Sequence, residues 1–130
     1  MKKLFVFAAT AATLFVGATV SNTSLIGTAQ ASSALAQNLC TYVEGDDRLR
    51  MRQRLREDRV QLRRVYTGIM CNGKTLLQFA MESGSNDIGE FISSQLPGSV
   101  LEESGDLEWA ESNGFGSSPI ADAIRSRIGG

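Results

Sequence analysis

The feature that most constrains this chain is a pair of cysteines, Cys40 and Cys71, which enclose an arginine-rich segment and are the only two in the sequence. The chain opens with two lysines and an apolar run, which is the form of a secretory signal peptide. An exported chain enters an oxidising compartment, so we expect its two cysteines to form a disulfide. A redox or nucleophilic role is the alternative, but the chain has no Cys-x-x-Cys spacing and no histidine to activate a thiolate.

The predicted signal peptide spans residues 1–31. A signal peptidase requires small residues at alternate positions before its cleavage site. One such pattern ends at Ala31, and a second ends at Ala36. An uncleaved membrane anchor is the alternative, but the apolar run from Leu4 to Val20 is short for a spanning helix and contains threonine and glycine. We therefore expect a periplasmic or secreted protein that is cleaved near Ala31.

The size of the exported part favours a disulfide. Removing residues 1–31 leaves 99 of the 130 residues; it takes away two of the 13 basic side chains and none of the 14 acidic ones, so the net charge falls from −1 to −3. A chain this short buries little apolar surface and commonly needs a cross-link. A disulfide that closes a loop of about 30 residues is worth about 3.5–4 kcal/mol by the loop-entropy relation.

The arginine-rich segment, residues 46–69, has the periodicity of one long amphipathic helix that begins at Asp46 or Asp47 and ends near Gly68. On a helix with about 100° of rotation per residue, six apolar residues of this segment fall on one stripe. The stripe consists of Met51, Leu55, Leu62, Val65, Tyr66 and Ile69. An adjacent arc carries the arginine ridge, which we define as Arg48, Arg52, Arg56, Arg59 and Arg63. Four neighbouring like-charge pairs cost about 1–2 kcal/mol unless anions neutralise them.

The next segment, Gly73 to Leu96, predicts a helix, a tight turn and a second helix. Thr75 is suited to capping the first helix, Gly84 to the left-handed turn, and Asn86 or Asp87 to capping the second helix. The run Thr-Leu-Leu-Gln-Phe-Ala that starts at Thr75, and the apolar spacing after it, resemble a single ankyrin repeat. Such a unit needs a neighbour to bury its apolar face, and the arginine-rich helix is the expected one.

A broader resemblance extends from Cys40 to Leu96. It is carried by Cys-x-Tyr-Val at Cys40, Asp-Asp-Arg at Asp46, the Arg-Leu repeats, Val-Tyr-x-Gly-Ile at Val65, and Cys-Asn-Gly-x-x-Leu-Leu at Cys71. These motifs are similar to those of a family of small exported bacterial proteins whose domain has no assigned function. The resemblance implies the same domain boundaries and paired cysteines, and it implies no activity.

After residue 98 the composition changes. Residues 99–130, the acidic tail, begin with a stretch rich in glycine, serine and acidic residues, which is typical of a flexible or loosely held segment. Leu101, Leu107 and Trp109 are its candidate anchors, and Ser118-Pro119 predicts the start of a short C-terminal helix. Eight acidic residues from Glu82 to Glu111, five of them in the tail, follow one another with no basic residue between them, and we expect this run to neutralise the arginine ridge.

These observations predict an all-α, disulfide-stapled helical domain at residues 32–98 with a flexible acidic tail. The chain has no histidine and no phosphate-loop motif, so we expect no catalytic residues, no metal site and no cofactor. We expect a non-catalytic protein-binding or structural module of the cell envelope, with an envelope protein as its partner. The alternative is an anion binder that uses the arginine ridge to hold lipopolysaccharide, nucleic acid or anionic lipid.

Overall fold

The computed structural model describes residues 33–129, and this part of the chain is mainly helical, with no β-strand. The predicted all-α class is confirmed. The predicted signal peptide lies outside the described residues. The α-helices are α1 Ser33–Glu44, α2 Arg48–Glu57, α3 Leu62–Val65, α4 Leu76–Ser83, α5 Asn86–Ser94, α6 Gly98–Ser104, α7 Asp106–Ser112 and α8 Pro119–Gly129, and a 3-10 turn spans Tyr66–Gly68. Among the described residues, no helix is both long and apolar enough to cross a bilayer.

The core is a stack of four helices in which α4 packs on α1, α5 packs on α4, and α8 packs on α5. Helix α1 was not predicted. It buries Leu35, Leu39 and Val43, which recur every four residues along one face. The predicted apolar stripe is also in the core, with all six of its members buried.

The predicted disulfide is confirmed. Cys40 on α1 is bonded to Cys71, with the two Cα atoms 5.7 Å apart. Cys71 opens a tight turn in which it exchanges two backbone hydrogen bonds with Lys74, of 2.7 and 3.0 Å, and Asn72 and Gly73 take positive φ values. The bond therefore ties α1 to the chain immediately before α4.

The predicted single arginine-rich helix is wrong, because the segment divides after Glu57. Arg59 takes a left-handed conformation with φ of +55°. Its N–H donates to the Arg56 carbonyl at 3.2 Å, and the N–H of Val60 donates to the Leu55 carbonyl at 2.9 Å. This pair of hydrogen bonds is the Schellman motif that ends helices, usually with glycine at the left-handed position. An arginine there gives no sequence signal for a helix end.

The predicted α4–α5 pair is confirmed. Thr75 and Gln78 form a reciprocal capping box at the start of α4, and Gly84 ends the helix with φ of +70°. The cap of α5 differs from the prediction. Neither Asn86 nor Asp87 supplies it; the carboxylate of Asp46 accepts the N–H of Ile88 at 2.8 Å. This contact joins the chain before α2 to the start of α5.

The expectation of a flexible tail is wrong for residues 99–129, which form most of α6 and all of α7 and α8. Leu101, Ile120 and Ile124 of these helices are fully buried. The predicted start of α8 is confirmed, because the N–H of Ala121 donates to the Ser118 hydroxyl at 3.0 Å. Helix α8 lies so close to α5 that a Cβ on Gly89 would stand 2.3 Å from an atom of Ile120. A larger residue at position 89 would therefore have to displace the buried Ile120 side chain, which explains a poor helix former at this contact.

Candidate anion-binding groove

An open groove of about 610 Å³ lies between α2 and the end of α5, with the turn after α2 and the start of α3 along its side. Four of the five residues of the predicted arginine ridge line it: Arg48, Arg52, Arg56 and Arg63. Leu55, Val60, Gln61, Leu62, Phe91, Ser94 and Gln95 complete the lining, and no carboxylate is among them. We call this feature the arginine groove.

The apolar part of the arginine groove follows from the way α2 ends. Leu55 and Val60 are the two residues joined by the Schellman hydrogen bond, and such motifs bring apolar side chains at these positions together. Leu55 and Leu62 are buried, and Val60 and Phe91 are half-buried. Cationic side chains therefore stand beside apolar surface, an arrangement that suits a ligand with both anionic and apolar parts.

Arg48 of the arginine groove connects α2 to α5. The guanidinium of Arg48 lies 5.6 Å from the centre of the Phe91 ring and 3.2 Å from a carboxylate oxygen of Asp87. Both partners of this ion pair are largely exposed, so it contributes little to stability. Together with the Asp46 cap on Ile88, these contacts join α2 and the chain before it to α5.

The other four arginines of α2 fall into two groups according to their partners. Arg50 and Arg54, which do not line the groove, pair with Asp47 and Asp58 at 3.3 and 2.9 Å. The hydrogen bond and the charge of Asp58 raise the pKa of Arg54. The groove residues Arg52 and Arg56 have no carboxylate within 4.0 Å among residues 33–129.

Arg63 of α3 also has no ion-pair partner in the described part of the chain, so three guanidinium groups of the groove are without a protein counter-charge. The fifth predicted residue, Arg59, does not line the groove. It occupies the left-handed position of the helix end and is exposed.

The expected neutralisation of the arginine ridge by the acids from Glu82 to Glu111 is limited to one residue of that run. Among residues 33–129, the only ion pair between the ridge and a carboxylate joins Arg48 to Asp87, and Asp87 precedes the tail. Glu111 instead pairs with Arg125 of α8 at 3.4 Å, and Asp106 is fully buried. Within the described residues, no acid of the tail lines the groove, so the tail does not supply its counter-charge.

Asp106 is the centre of a buried polar network that the sequence analysis missed. Its Oδ1 accepts hydrogen bonds from Thr75 Oγ1 at 2.8 Å and Gln78 Nε2 at 3.0 Å. Its Oδ2 accepts a hydrogen bond from the Tyr66 hydroxyl and lies 2.9 Å from Ser104 Oγ. Burial, and secondly the charge of Asp106, raise the pKa of Tyr66 well above its usual value. The network links the 3-10 turn, α4 and α7, and its residues are too far apart in sequence to form a recognisable motif.

A second groove, of about 470 Å³, lies beside the disulfide and is lined in part by Phe79 and the exposed Met70. It has no cluster of like charge. In the described part of the chain, no three His, Cys, Asp or Glu side chains are grouped as a metal site would require.

Comparison with known protein families identifies the family of this chain. A family model described as a protein of unknown function, DUF3718, matches residues 39–103, which is half of the sequence. The chain belongs to the DUF3718 family. This match confirms the resemblance to a family without an assigned function. The family model covers the whole lining of the arginine groove and stops before Asp106. No curated protein and no solved structure shows a significant similarity to the chain.

Proposed function

We propose that this DUF3718 protein is an exported, non-catalytic binding module whose arginine groove holds a phosphate-bearing ligand. The observation that carries the proposal is that Arg52, Arg56 and Arg63 line one groove without a carboxylate partner, while Arg50 and Arg54 on the same helix each have one. Unpaired like charges within one groove repel each other. A bound anion would relieve this repulsion, so the groove is suited to a ligand that the described chain does not itself supply.

Phosphate suits this groove for geometric reasons. A guanidinium presents a planar fork of N–H donors that matches two oxygens of a phosphate, and such charge-assisted pairs are stronger than neutral hydrogen bonds. Gln61 adds a carboxamide donor, because its oxygen already accepts a hydrogen bond from Arg64 at 3.0 Å. The exported part of the chain carries a net charge of −3, so the attraction is local to the groove.

Export forms part of the proposal and rests on the predicted signal peptide. Helix α1 favours cleavage after Ala31 over cleavage after Ala36, because the second site would remove Leu35, which is buried in the core. Cleavage after Ala31 would leave all of α1 in the mature chain. The module would then act in the periplasm or outside the cell, where its disulfide is stable.

Binding to an envelope protein is the second candidate. In that case the arginine groove would take an acidic segment of the partner, since carboxylates also match the guanidinium fork. Leu55, Val60 and Phe91 would then contact apolar residues of that segment. The same variants test both candidates, and the ligand that binds more tightly distinguishes them.

The test is a calorimetric titration of the mature protein with tripolyphosphate. Arg52→Gln/Arg56→Gln removes two groove charges, and Arg50→Gln/Arg54→Gln is the matched control, because it removes the same charge from the same helix outside the groove. We expect the groove variant to bind at least about tenfold more weakly and the control to change affinity by less than about threefold. Added salt should weaken binding by the wild-type protein.

Equal losses in the two variants would contradict a specific site, because only overall charge would then matter. A glutamate-rich peptide that binds the wild-type groove more tightly than tripolyphosphate does would favour the acidic-protein candidate instead.

A further inference from the structure

We propose that the phosphate groups held by the arginine groove belong to an anionic membrane surface, onto which the outer face of α2 docks through Leu49. This inference rests on the proposed function and identifies the source of the phosphate. It follows from the position of one exposed leucine among the groove arginines.

Leu49 is 71% exposed, and among residues 33–129 only Met70, at 52%, is another large apolar residue classed as exposed. At about 100° per residue, Leu49 lies on the same side of α2 as Arg52 and Arg56. An isolated exposed leucine is common on protein surfaces. Leu49 differs because Arg52 and Arg56, which have no ion-pair partner among residues 33–129, share its face. The three carboxylates beside Leu49 are each engaged elsewhere: Asp46 accepts the N–H of Ile88, Asp47 pairs with Arg50, and Asp87 pairs with Arg48.

This pattern suits the interface of an anionic bilayer. Interfacial helices bury an apolar side chain at the boundary of the acyl chains while basic side chains contact the phosphates above it. Arginine stems can lie along the apolar layer while their guanidinium groups stay at the level of the headgroups. Arg52 and Arg56, which follow Leu49 by three and seven residues on the same face, are therefore placed to bind phosphates beside an inserted Leu49.

The groove itself extends this contact beyond α2. Val60 and Phe91 are half-buried apolar residues of its lining, and they offer a surface for the glycerol and upper acyl region of a lipid whose phosphate is bound by the arginines. A soluble polyanion would use the arginines but would leave Leu49 in water. Since one leucine and a few cations each give weak binding, we expect docking to be reversible and to need both.

The experiment is co-sedimentation of the mature protein with vesicles of phosphatidylcholine and phosphatidylglycerol in equal parts, compared with vesicles of phosphatidylcholine alone. Leu49→Ser removes the apolar contact, and Met70→Ser is the matched control because it removes the other exposed apolar side chain. We expect Leu49→Ser to weaken binding to the mixed vesicles by about fivefold to tenfold. Met70→Ser should bind as the wild-type protein does, and both variants should keep its melting temperature.

The groove variant Arg52→Gln/Arg56→Gln separates the two proposals. We expect it to lose about twentyfold in affinity for the mixed vesicles, and also to lose binding to tripolyphosphate. Leu49→Ser should keep its affinity for tripolyphosphate. If Leu49→Ser binds mixed vesicles as tightly as the wild-type protein, the membrane proposal is overturned while the anion site stands. If the groove variant keeps its affinity for tripolyphosphate, the proposed function itself is overturned.

A direct readout uses Leu49→Trp in a Trp109→Phe background, which leaves one tryptophan at the proposed contact. Its emission should shift to shorter wavelength with the mixed vesicles and should not shift with phosphatidylcholine alone. An unchanged spectrum under conditions where the protein sediments with the mixed vesicles would place the contact elsewhere and overturn the role of Leu49.

Discussion

The hydroxyl of Tyr66 donates a hydrogen bond to the carboxylate of Asp106, which lies 40 residues further along the chain, and both side chains are fully buried. Tyr66 is in the 3-10 turn before the disulfide, and Asp106 is the first residue of α7. The contact thus joins the arginine-rich half of the domain to the segment that its composition marks as a loose tail. It indicates that the acidic segment is part of the folded unit.

The first prediction concerns Asp106→Asn. The substitution replaces one acceptor oxygen by a donor amide in a site that is built to accept hydrogen bonds from Tyr66, Thr75 and Gln78. We expect the free energy of unfolding to fall by at least about 2 kcal/mol, because hydrogen bonds to a charged group are lost. Glu108→Gln, an exposed change on the same helix, should alter it by less than about 0.5 kcal/mol. Urea denaturation measures both, and equal stabilities would show that the network carries little energy.

The second prediction is a pH dependence that arises from Tyr66. Its pKa is raised in the folded state, so the native protein holds the phenolic proton more tightly than the unfolded chain does. The resulting stability is fully present below the unfolded pKa of about 10 and is lost as pH rises from there towards the folded pKa. Tyr66→Phe removes this contribution.

The measurement is the difference in unfolding free energy between wild type and Tyr66→Phe at several pH values. Below pH of about 10 the difference should be constant, and above it the difference should shrink by up to about 1.4 kcal/mol per pH unit. Tyr42→Phe is the control, since it keeps the Tyr66–Asp106 contact and with it the alkaline loss of stability. A constant difference up to alkaline unfolding would contradict the prediction.

The third prediction concerns the disulfide. Cys40→Ser/Cys71→Ser frees α1 from the turn before α4, and the loop of 31 residues predicts a loss of about 3.5–4 kcal/mol. Leu35, Leu39 and Val43 still attach α1 to the core by apolar contact. Reducing the wild-type protein should give the same loss in thermal unfolding. A loss below about 1 kcal/mol would show that α1 is held by packing alone.

Particular residues show how much of this structure could be predicted from the sequence. The α4–α5 pair was predictable because Thr75, Gln78 and Gly84 are local capping signals, and the start of α8 was predictable from Ser118 for the same reason. Helix α1 has a regular apolar spacing of four residues, a signal that was present and could have been used. The disulfide could be predicted from the number of cysteines and from the expected oxidising compartment alone.

The missed features depend on contacts between distant segments. Asp46 caps α5 instead of α2, and Asp106 is buried because Tyr66 and Thr75 supply donors from other elements. Neither pairing has a local signature. For the candidate site, helical periodicity correctly predicts that Arg48, Arg52 and Arg56 share one side of α2. Arg63 lines the same groove from α3, after the break in the helix, and Arg59, at the break itself, does not line it.

The last prediction therefore tests Arg59 itself. A non-glycine residue at φ of +55° is strained by about 1–2 kcal/mol. Glycine relieves this strain, but it also makes the unfolded chain more flexible, which offsets part of the gain in stability. We expect Arg59→Gly to stabilise the domain by about 0.5–1 kcal/mol in urea denaturation, and Arg59→Ala, which removes the same charge but keeps the strain, to give no such gain. Because Arg59 does not line the groove, both variants should bind tripolyphosphate within about threefold of the wild-type protein. Parallel losses of affinity as large as that of Arg52→Gln/Arg56→Gln would instead make Arg59 part of the site, and would require the turn after α2 to change when the anion binds.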